Sequence, residues 1–205
     1  RDVIEPYVAD HAAGRTPNPC IECNRHLKFD RLVRRADALG FDMIATGHHA
    51  RVVSTPAGPR LGRGVDAAKD QSYVLHVIEE SVLARMLLPV GELTKAEVRR
   101  LAMDLDLRTA QKPESQDVCF ITNEHGRAAF LGQRIPLKPA AVVDRSGKQV
   151  GQVDSVEMVT IGQRKGLGLA GGTDPKYVVD VDVTAEGDRR VMVGEKADLE
   201  APVTE

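Results

Sequence analysis

The sequence predicts an α/β domain followed by a smaller β-rich domain, and three observations carry that prediction. Between Asn24 and Leu39 apolar residues recur at Leu32, Val33, Ala36 and Leu39, a helical period, and Gly40 follows as a stop. A short, mostly apolar run from Phe41 to Thr46 comes next and opens into Gly47-His48-His49. Helix, glycine turn, buried strand and small-polar loop are the grammar of an α/β sheet, whose ligands bind at the carboxyl ends of strands. Beyond about Gly126 the pattern changes to short β-rich runs separated by Gly, Asp, Ser and Pro.

Taken in order, Val3-Ile4-Glu5-Pro6-Tyr7 reads as the middle of an element, and the chain opens on Arg1 rather than methionine, which suggests a fragment. The helix from Asn24 and the strand from Phe41 follow. Residues from Gln71 to Ile78 fit strand or helix equally, whereas Glu79 to Met86 look helical. Thr94-Lys95-Ala96-Glu97 is a capping box. It opens a helix with Val98, Leu101, Ala102 and Leu105 on one apolar face, ending near Leu107. The expected strands of the second domain are Ala140–Val143, Val156–Ile161, Tyr177–Val181 and Arg190–Val193. The last residues, Leu199 to Glu205, close no element, so a cut at this end is expected too.

Composition narrows the class. The 205 residues are 42% hydrophobic, 28% charged and 3% aromatic, enough for one or two cored domains. No apolar run is long enough to span a bilayer, and nothing resembles a signal peptide. Three cysteines are odd in number and too few for a secreted disulfide framework, so a reducing cytoplasm is expected. A net charge of −2 gives no bulk attraction to nucleic acid, although basic residues gather locally at Arg60/Arg63/Lys69, Arg99/Arg100 and Arg164/Lys165. Surface solvation is the plainer reading of Arg99/Arg100 on their helix.

The cysteines point to chemistry. Cys20 and Cys23 form a C-x-x-C, Cys119 lies in Asp117-Val118-Cys119-Phe120, and all three sit among polar turn residues where burial gains little. A thioredoxin-type centre lacks its preceding strand here. A zinc site would need His26, His48, or Cys119 with a histidine, to complete four ligands. Three thiols also suffice for a 4Fe–4S cluster with one open iron. Alternatively, Cys23 and Cys119 exchange sulfur as a nucleophile and a sulfur-carrying partner. Gly166-Leu167-Gly168-Leu169-Ala170-Gly171 matches G-x-G-x-x-G, but no helix is expected to follow, so a dinucleotide fingerprint fails on context. What remains is a flexible glycine-rich loop with Gln163, Arg164 and Lys165, suited to a phosphate backbone, or else a plain β-turn.

Five motifs in register make the chain recognisable: Gly-Arg-Thr-Pro-Asn-Pro-Cys-x-x-Cys-Asn from Gly14, Ala-Thr-Gly-His from Ala45, Lys-Asp-Gln-Ser-Tyr from Lys69, Asp-Val-Cys-Phe-Ile from Asp117 and Gly-Gln-Arg-Lys-Gly-Leu-Gly from Gly162. In this order they resemble the bacterial tRNA-specific 2-thiouridylase family. The resemblance implies part of an adenine nucleotide alpha hydrolase-like (PP-loop) ATP-pyrophosphatase domain over 1–125 and a β-rich central domain over 126–195. The start of a C-terminal β-barrel would occupy 196–205. The family's Ser-Gly-Gly-x-Asp-Ser phosphate loop is not among these residues, so the chain alone is expected to be inactive.

The same resemblance implies ATP with Mg as cofactors, tRNAs for Lys, Glu and Gln as substrates, and a persulfide donor such as a cysteine desulfurase or relay protein as partner. ATP would adenylate O2 of uridine at wobble position 34, and persulfide sulfur would replace it. Cys119 matches the persulfide-bearing cysteine and Cys23 the nucleophile, with a Cys23–Cys119 disulfide left behind. Gly47 matches an ATP contact, where a missing Cβ lets backbone approach the nucleotide. Asn18, Pro19 and Cys20 match positions near the target base, while His48, Lys69, Asp70 and Gln71 match other tRNA contacts. Lys69 would neutralise phosphate and Asp70 would position a partner or cap a helix. Many relatives carry aspartate where Cys20 stands, viewed there as a general acid/base. The substitution keeps a cluster on Cys20, Cys23 and Cys119 as a second mechanism. Two other readings are a non-catalytic metal-stabilised nucleic-acid-binding fragment and an amide-forming PP-loop ligase that needs no cysteine.

Overall fold

Gly40 stops its helix as the sequence expects. In a computed structural model, which describes residues 1–112, 118–121, 126–170, 174–184 and 189–199, its φ is 72°. Gly40 N–H donates to Asp37 O (3.1 Å) and Phe41 N–H to Ala36 O (2.9 Å), the paired bonds of a Schellman stop. Along the chain the helices are α1 (Ile4–Ala12), α2 (Pro19–Glu22), α3 (Asp30–Leu39), α4 (Glu80–Leu83), α5 (Lys95–Asp104) and α6 (Gly126–Gly132). The strands are β1 (Ile44–Ala45), β2 (Ala50–Thr55), β3 (Gly58–Arg63), β4 (Met86–Leu87), β5 (Ala140–Val143), β6 (Gln149–Val153), β7 (Tyr177–Asp182) and β8 (Arg190–Gly194). A π-helical turn, Cys23–Phe29, joins α2 to α3.

The chain forms two compact units. One is Pro19–Val118, and the other combines Val3–Asn18 with the residues from Cys119 onward. The mixed α/β character with a second β-rich body follows the sequence expectation.

In the first unit β1 pairs in parallel with β4, Ile44 opposite Met86. Ile44 N–H donates to Arg85 O (2.8 Å) and Thr46 N–H to Leu87 O (3.0 Å). This pairing corrects the expected helix over Glu79–Met86. Only Glu80–Leu83 is helical, because Met86 is taken into the ladder and buried. The β2–β3 hairpin, Ala50 opposite Arg63 and Thr55 opposite Gly58, was hidden in sequence because Gly58, Pro59 and Gly62 break the β pattern. Phe29, Ala50, Val74, Leu75, Leu83 and Met86 form the core. The ambiguous stretch after Gln71 is a 3₁₀ turn, Ser72–Val74.

The α5 capping box is present. Thr94 Oγ1 accepts from Glu97 N–H (3.3 Å), and Glu97 Oε2 accepts from Thr94 N–H (2.7 Å). The helix ends at Asp104, short of the expected Leu107, and Asp106 turns back with φ 51°. No residue of α5 is buried, so its expected apolar face is not a core face.

The second unit is built on a four-stranded sheet in the order β6-β5-β8-β7, with β5 and β8 parallel and the outer pairs antiparallel. Val142, Val156, Val178 and Val191 are fully buried at its centre. The strand expected at Val156–Ile161 is instead a 3₁₀ turn, Val156–Met158. Val156 N–H donates to Lys138 O (2.8 Å), and buried Glu157 returns the link by accepting Lys138 N–H (3.0 Å). Those bonds satisfy the backbone locally and leave no ladder to join. The glycine-rich loop is anchored, not free: Leu167 is 2% exposed and a Cβ on Gly151 would meet its carbonyl oxygen. Tyr7 and His11 of α1 are buried in this unit, His11 Nδ1 lying 2.9 Å from Glu157 O.

Gly91 sits where only glycine fits, since a Cβ there would collide with the Ala50 carbonyl. Gly91→Ala is expected to destabilise the first unit by about 1–3 kcal/mol, measured as a lowered urea midpoint. Gly40→Ala, at an open position with left-handed φ, should cost about 1–2 kcal/mol.

Candidate functional site

Asn18 and Pro19 lead into α2, and Pro19 takes its first position, where a missing N–H costs nothing. Cys20 follows on α2 and is exposed; Cys23, half-buried, opens the π-helical turn. Three residues apart on helical backbone, the two thiols share one side. Asp30 N–H closes the wide turn on Arg25 O, five residues back. Such turns are rare and recur at functional sites. His26 lies between Glu22 (3.3 Å) and Asp30 (3.4 Å). Asn24 is 1% exposed, and its Oδ1 has no partner among the described residues.

Cys119 belongs to the other unit and is exposed. Its neighbour is fixed: the Phe120 ring stands edge-on to Tyr7 (5.3 Å) and tilted to Phe130 (5.3 Å), while Arg134 covers Phe130 at 3.9 Å and Ile121 is buried. The motif residues before it, 113–117, lie outside the described residues. None of the three cysteines is disulfide-bonded.

Gly47 lies just beyond β1, at the carboxyl end of a parallel strand pair. His48 beside it is 7% exposed and lies near the Phe29 ring, at 5.9 Å. Lys28 Nζ is 3.3 Å from His48 Nε2, and Thr46 Oγ1 is 2.9 Å from Nδ1. An ammonium can only donate, so Nε2 accepts and the proton sits on Nδ1, donated to Thr46. Burial first, and the Lys28 charge second, push the His48 pKa down to about 4. A cleft of about 660 Å³ runs past Gly47 and His48 and is flanked by Lys28, Arg31 and Arg35. Sequence reasoning missed these three cations, although their spacing along helical backbone was there to read.

The Lys69-Asp70-Gln71 stretch is a brace. Gln71 N–H donates to His49 O (2.8 Å), and Gln71 Oε1 accepts His49 N–H (3.0 Å). Asp70 does not cap a helix. Its carboxylate accepts from Gly64 N–H (2.8 Å), Ser72 N–H (3.2 Å) and Ser72 Oγ (2.7 Å). Burial opposes its charge, yet these hydrogen bonds together hold its pKa below the usual carboxylate range.

Among the described residues no group of three or more His, Cys, Asp or Glu side chains is arranged to hold a metal ion. No helix among the described residues is long and apolar enough to cross a membrane.

The architecture defines a two-domain class of protein, an α/β domain joined to a smaller β-rich, barrel-like one. The domain family described as tRNA methyl transferase HUP domain matches residues 1–123, and that described as tRNA methyl transferase PRC-barrel domain matches 128–195. The chain is 48% identical over 202 residues to the tRNA-specific 2-thiouridylase MnmA of Mycolicibacterium smegmatis, covering 97% of this chain and 54% of that one. It is 47% identical over 206 residues to the MnmA of Carboxydothermus hydrogenoformans, covering 98% of this chain and 55% of that one. With the MnmA of Roseiflexus castenholzii it shares 44% identity over 216 residues, 97% and 57% of the two chains. The chain belongs to the tRNA-specific 2-thiouridylase family, and it spans about half the length of these relatives.

His48 offers a direct test of the geometry. By NMR its imidazole should titrate near pH 4 rather than at the ordinary 6.5. Protonation favours the unfolded chain throughout that interval. The stability His48 contributes is therefore complete above pH 6.5 and is lost as pH falls toward 4. Lys28→Met should move the midpoint upward without restoring it fully, because burial is the larger cause.

Proposed function

We propose that the chain supplies the sulfur-transfer part of an ATP-dependent tRNA 2-thiouridylase that adenylates O2 of uridine 34 and replaces that oxygen with persulfide-derived sulfur. The observation that carries this reading is the pair of free thiols on specialised backbone. Cys23 heads a π-helical turn and Cys119 precedes an aromatic ring clasped by two others.

The proposed sequence balances. Uracil O2 attacks the α-phosphorus of ATP and pyrophosphate leaves, which makes O2 a competent leaving group. A persulfide donor, such as a cysteine desulfurase or relay protein, has placed an outer sulfur on Cys119. That sulfur attacks C2, and AMP departs with the original oxygen. Cys23 thiolate then attacks the inner Cys119 sulfur, breaking the S–S bond and leaving the outer sulfur on C2 as a thione. The Cys23–Cys119 disulfide takes two electrons and two protons from a thiol reductant before the next round. In the variant route, Cys23 releases the outer sulfur as sulfide and the sulfide attacks C2.

Gly47 is assigned to the nucleotide. Asn18, Pro19 and Cys20 are assigned to the target base, and His48, Lys69, Asp70 and Gln71 to tRNA for Lys, Glu or Gln. With His48 buried and Asp70 and Gln71 engaged in bracing, their part is to shape the surface, whereas Lys69 carries charge to it. Mg would accompany the ATP phosphates, and the cytoplasm is the compartment. Domain limits near 125 and 195 complete the proposal.

The test uses the complete protein with unmodified tRNA, ATP and a persulfide donor. Nucleoside mass spectrometry should find 2-thiouridine formed in step with AMP. Cys23→Ser and Cys119→Ser should each lower that yield at least 100-fold while sparing tRNA binding. A methylated nucleoside instead would favour the chemistry in the domain description. Full thiolation by either serine variant would defeat the proposed roles. Iron bound in proportion to activity after anaerobic purification would favour the cluster on Cys20, Cys23 and Cys119.

A further inference from the structure

Val3 at the N-cap of α1, Tyr7 and His11 recur at a spacing of four, which puts them along one side of the helix, and all three are buried. The Tyr7 ring lies at the middle of that stripe. It stands edge-on to His11 (4.6 Å), Phe120 (5.3 Å) and Phe130 (6.3 Å), and Phe120 and Phe130 also meet each other (5.3 Å). Edge contacts between rings are attractive and favour particular orientations. The sulfur-transfer steps set out above give Tyr7 no part.

The partners that flank Tyr7 are themselves held within the second unit. His11 Nδ1 lies 2.9 Å from Glu157 O, a carbonyl that can only accept, so the ring donates there and its tautomer is fixed. Glu157 is tied in turn to Lys138 N–H at 3.0 Å. Phe130 is covered by the Arg134 guanidinium at 3.9 Å, and Leu131 beside it is fully buried. The exit of α1 is anchored too: Gly14 turns with φ 70°, and a Cβ there would meet the Val183 side chain at 2.9 Å. Phe120 differs. It is half-buried in a turn, and its ring contacts are Tyr7 and Phe130. Tyr7 is therefore the fixed member of the cluster and Phe120 the member it fixes. Cys119, exposed, is the next residue along the backbone. A thiol one residue from a clasped ring has its backbone placed by that ring while its sulfur stays open to solvent.

We propose that Tyr7 is a positioning residue for sulfur transfer, its ring holding Phe120 so that Cys119 is presented from one turn conformation. The inference rests on the thiouridylase reading for the role of Cys119. A reacting sulfur held in place spends more of its time in a productive geometry, and that raises the rate of every step it enters. Those steps are loading of the outer sulfur, its delivery to C2 and closure of the disulfide with Cys23. Adenylation of O2 comes before them and is independent of Tyr7.

The experiment uses the complete protein and separates these stages. Tyr7→Leu keeps the site apolar but removes the ring, whereas Tyr7→Phe keeps the ring. With unmodified tRNA and ATP, pyrophosphate release in the first turnover reads adenylation. With Cys119 loaded by a persulfide donor and the load counted by mass spectrometry, 2-thiouridine formation reads delivery. Tyr7→Leu should slow delivery about tenfold and leave adenylation within about twofold of the parent, while Tyr7→Phe should match the parent in both. Phe120→Leu, made at the half-buried end of the contact, should give the same selective loss, and the double variant should be no slower than either single one. Chymotrypsin, which cuts after accessible aromatic residues, reads the contact without activity. Cleavage after Phe120 should rise about tenfold in Tyr7→Leu, with cleavage after the already exposed Phe41 unchanged. The positioning role is overturned if Phe120→Leu delivers sulfur at the parental rate, if adenylation falls as far as delivery, or if Tyr7→Phe is as slow as Tyr7→Leu. In each of those cases thiolation by the parent leaves the functional reading standing. A parent that forms no 2-thiouridine sinks that reading, and the chymotrypsin ratio then decides alone whether Tyr7 holds Phe120.

Discussion

Two hydrogen bonds between Gln71 and His49 hold the first unit's site together. One runs from Gln71 N–H to His49 O and the other from His49 N–H to the Gln71 side chain. They tie the loop after β1 to the Lys69–Gln71 stretch, two segments that would otherwise be independent. Gly47, His48 and the 660 Å³ cleft lie along this tie, and so does a cavity of about 620 Å³ that Gln71 and His49 both border. Backbone hydrogen bonds of this kind contribute about 1 kcal/mol each, net. Their importance is geometric, because they fix the separation of the charged groups on either side.

That fixed spacing explains the local electrostatics. Lys28 is the immediate charged neighbour of His48, and burial already disfavours a second positive charge there. The imidazole is thus kept neutral and serves as an acceptor for the lysine, leaving the ammonium oriented beside the cleft. Asp70 shows the opposite logic: its carboxylate is kept ionised by three donors and braces Gly64 against Ser72. Polar residues that look like substrate contacts in sequence can therefore act through position, with neighbouring lysines and arginines carrying the charge.

What was legible in the sequence follows from how local its causes are. The Gly40 stop, the Thr94 capping box and the strands around Val142, Val178 and Val191 depend on residues within a few positions, and each formed as expected. The misses depend on distant partners. Val156–Met158 has β-prone residues but turns, because Lys138 satisfies it from another segment. Met86 leaves its expected helix because Ile44 recruits it into a parallel pair. α1 escaped notice because its few apolar positions, Tyr7 above all, meet Phe120 and Phe130 from far along the chain. The thiols were plain from composition. The cations that flank the 660 Å³ cleft were visible as charges but not as a set, since helix and loop must fold before they face one space.

The unequal exposure of the cysteines is what the proposed chemistry needs. A thiol that takes sulfur from a macromolecular donor must be reached by that donor, and Cys119 is exposed. Exposure alone would let the bound persulfide wander, but Phe120 is pinned by Tyr7 and Phe130, so only the thiol end projects. A resolving thiol has the opposite requirement, since any free access would let it discharge the persulfide before the base is activated. Cys23 is half-buried at the head of a turn whose i→i−5 bond widens the backbone locally. Cys20 is exposed and on the same helical side, and no aromatic residue adjoins it in sequence. This contrast in exposure suits the roles proposed above, with Cys119 as the sulfur-carrying thiol and Cys23 as the resolving one.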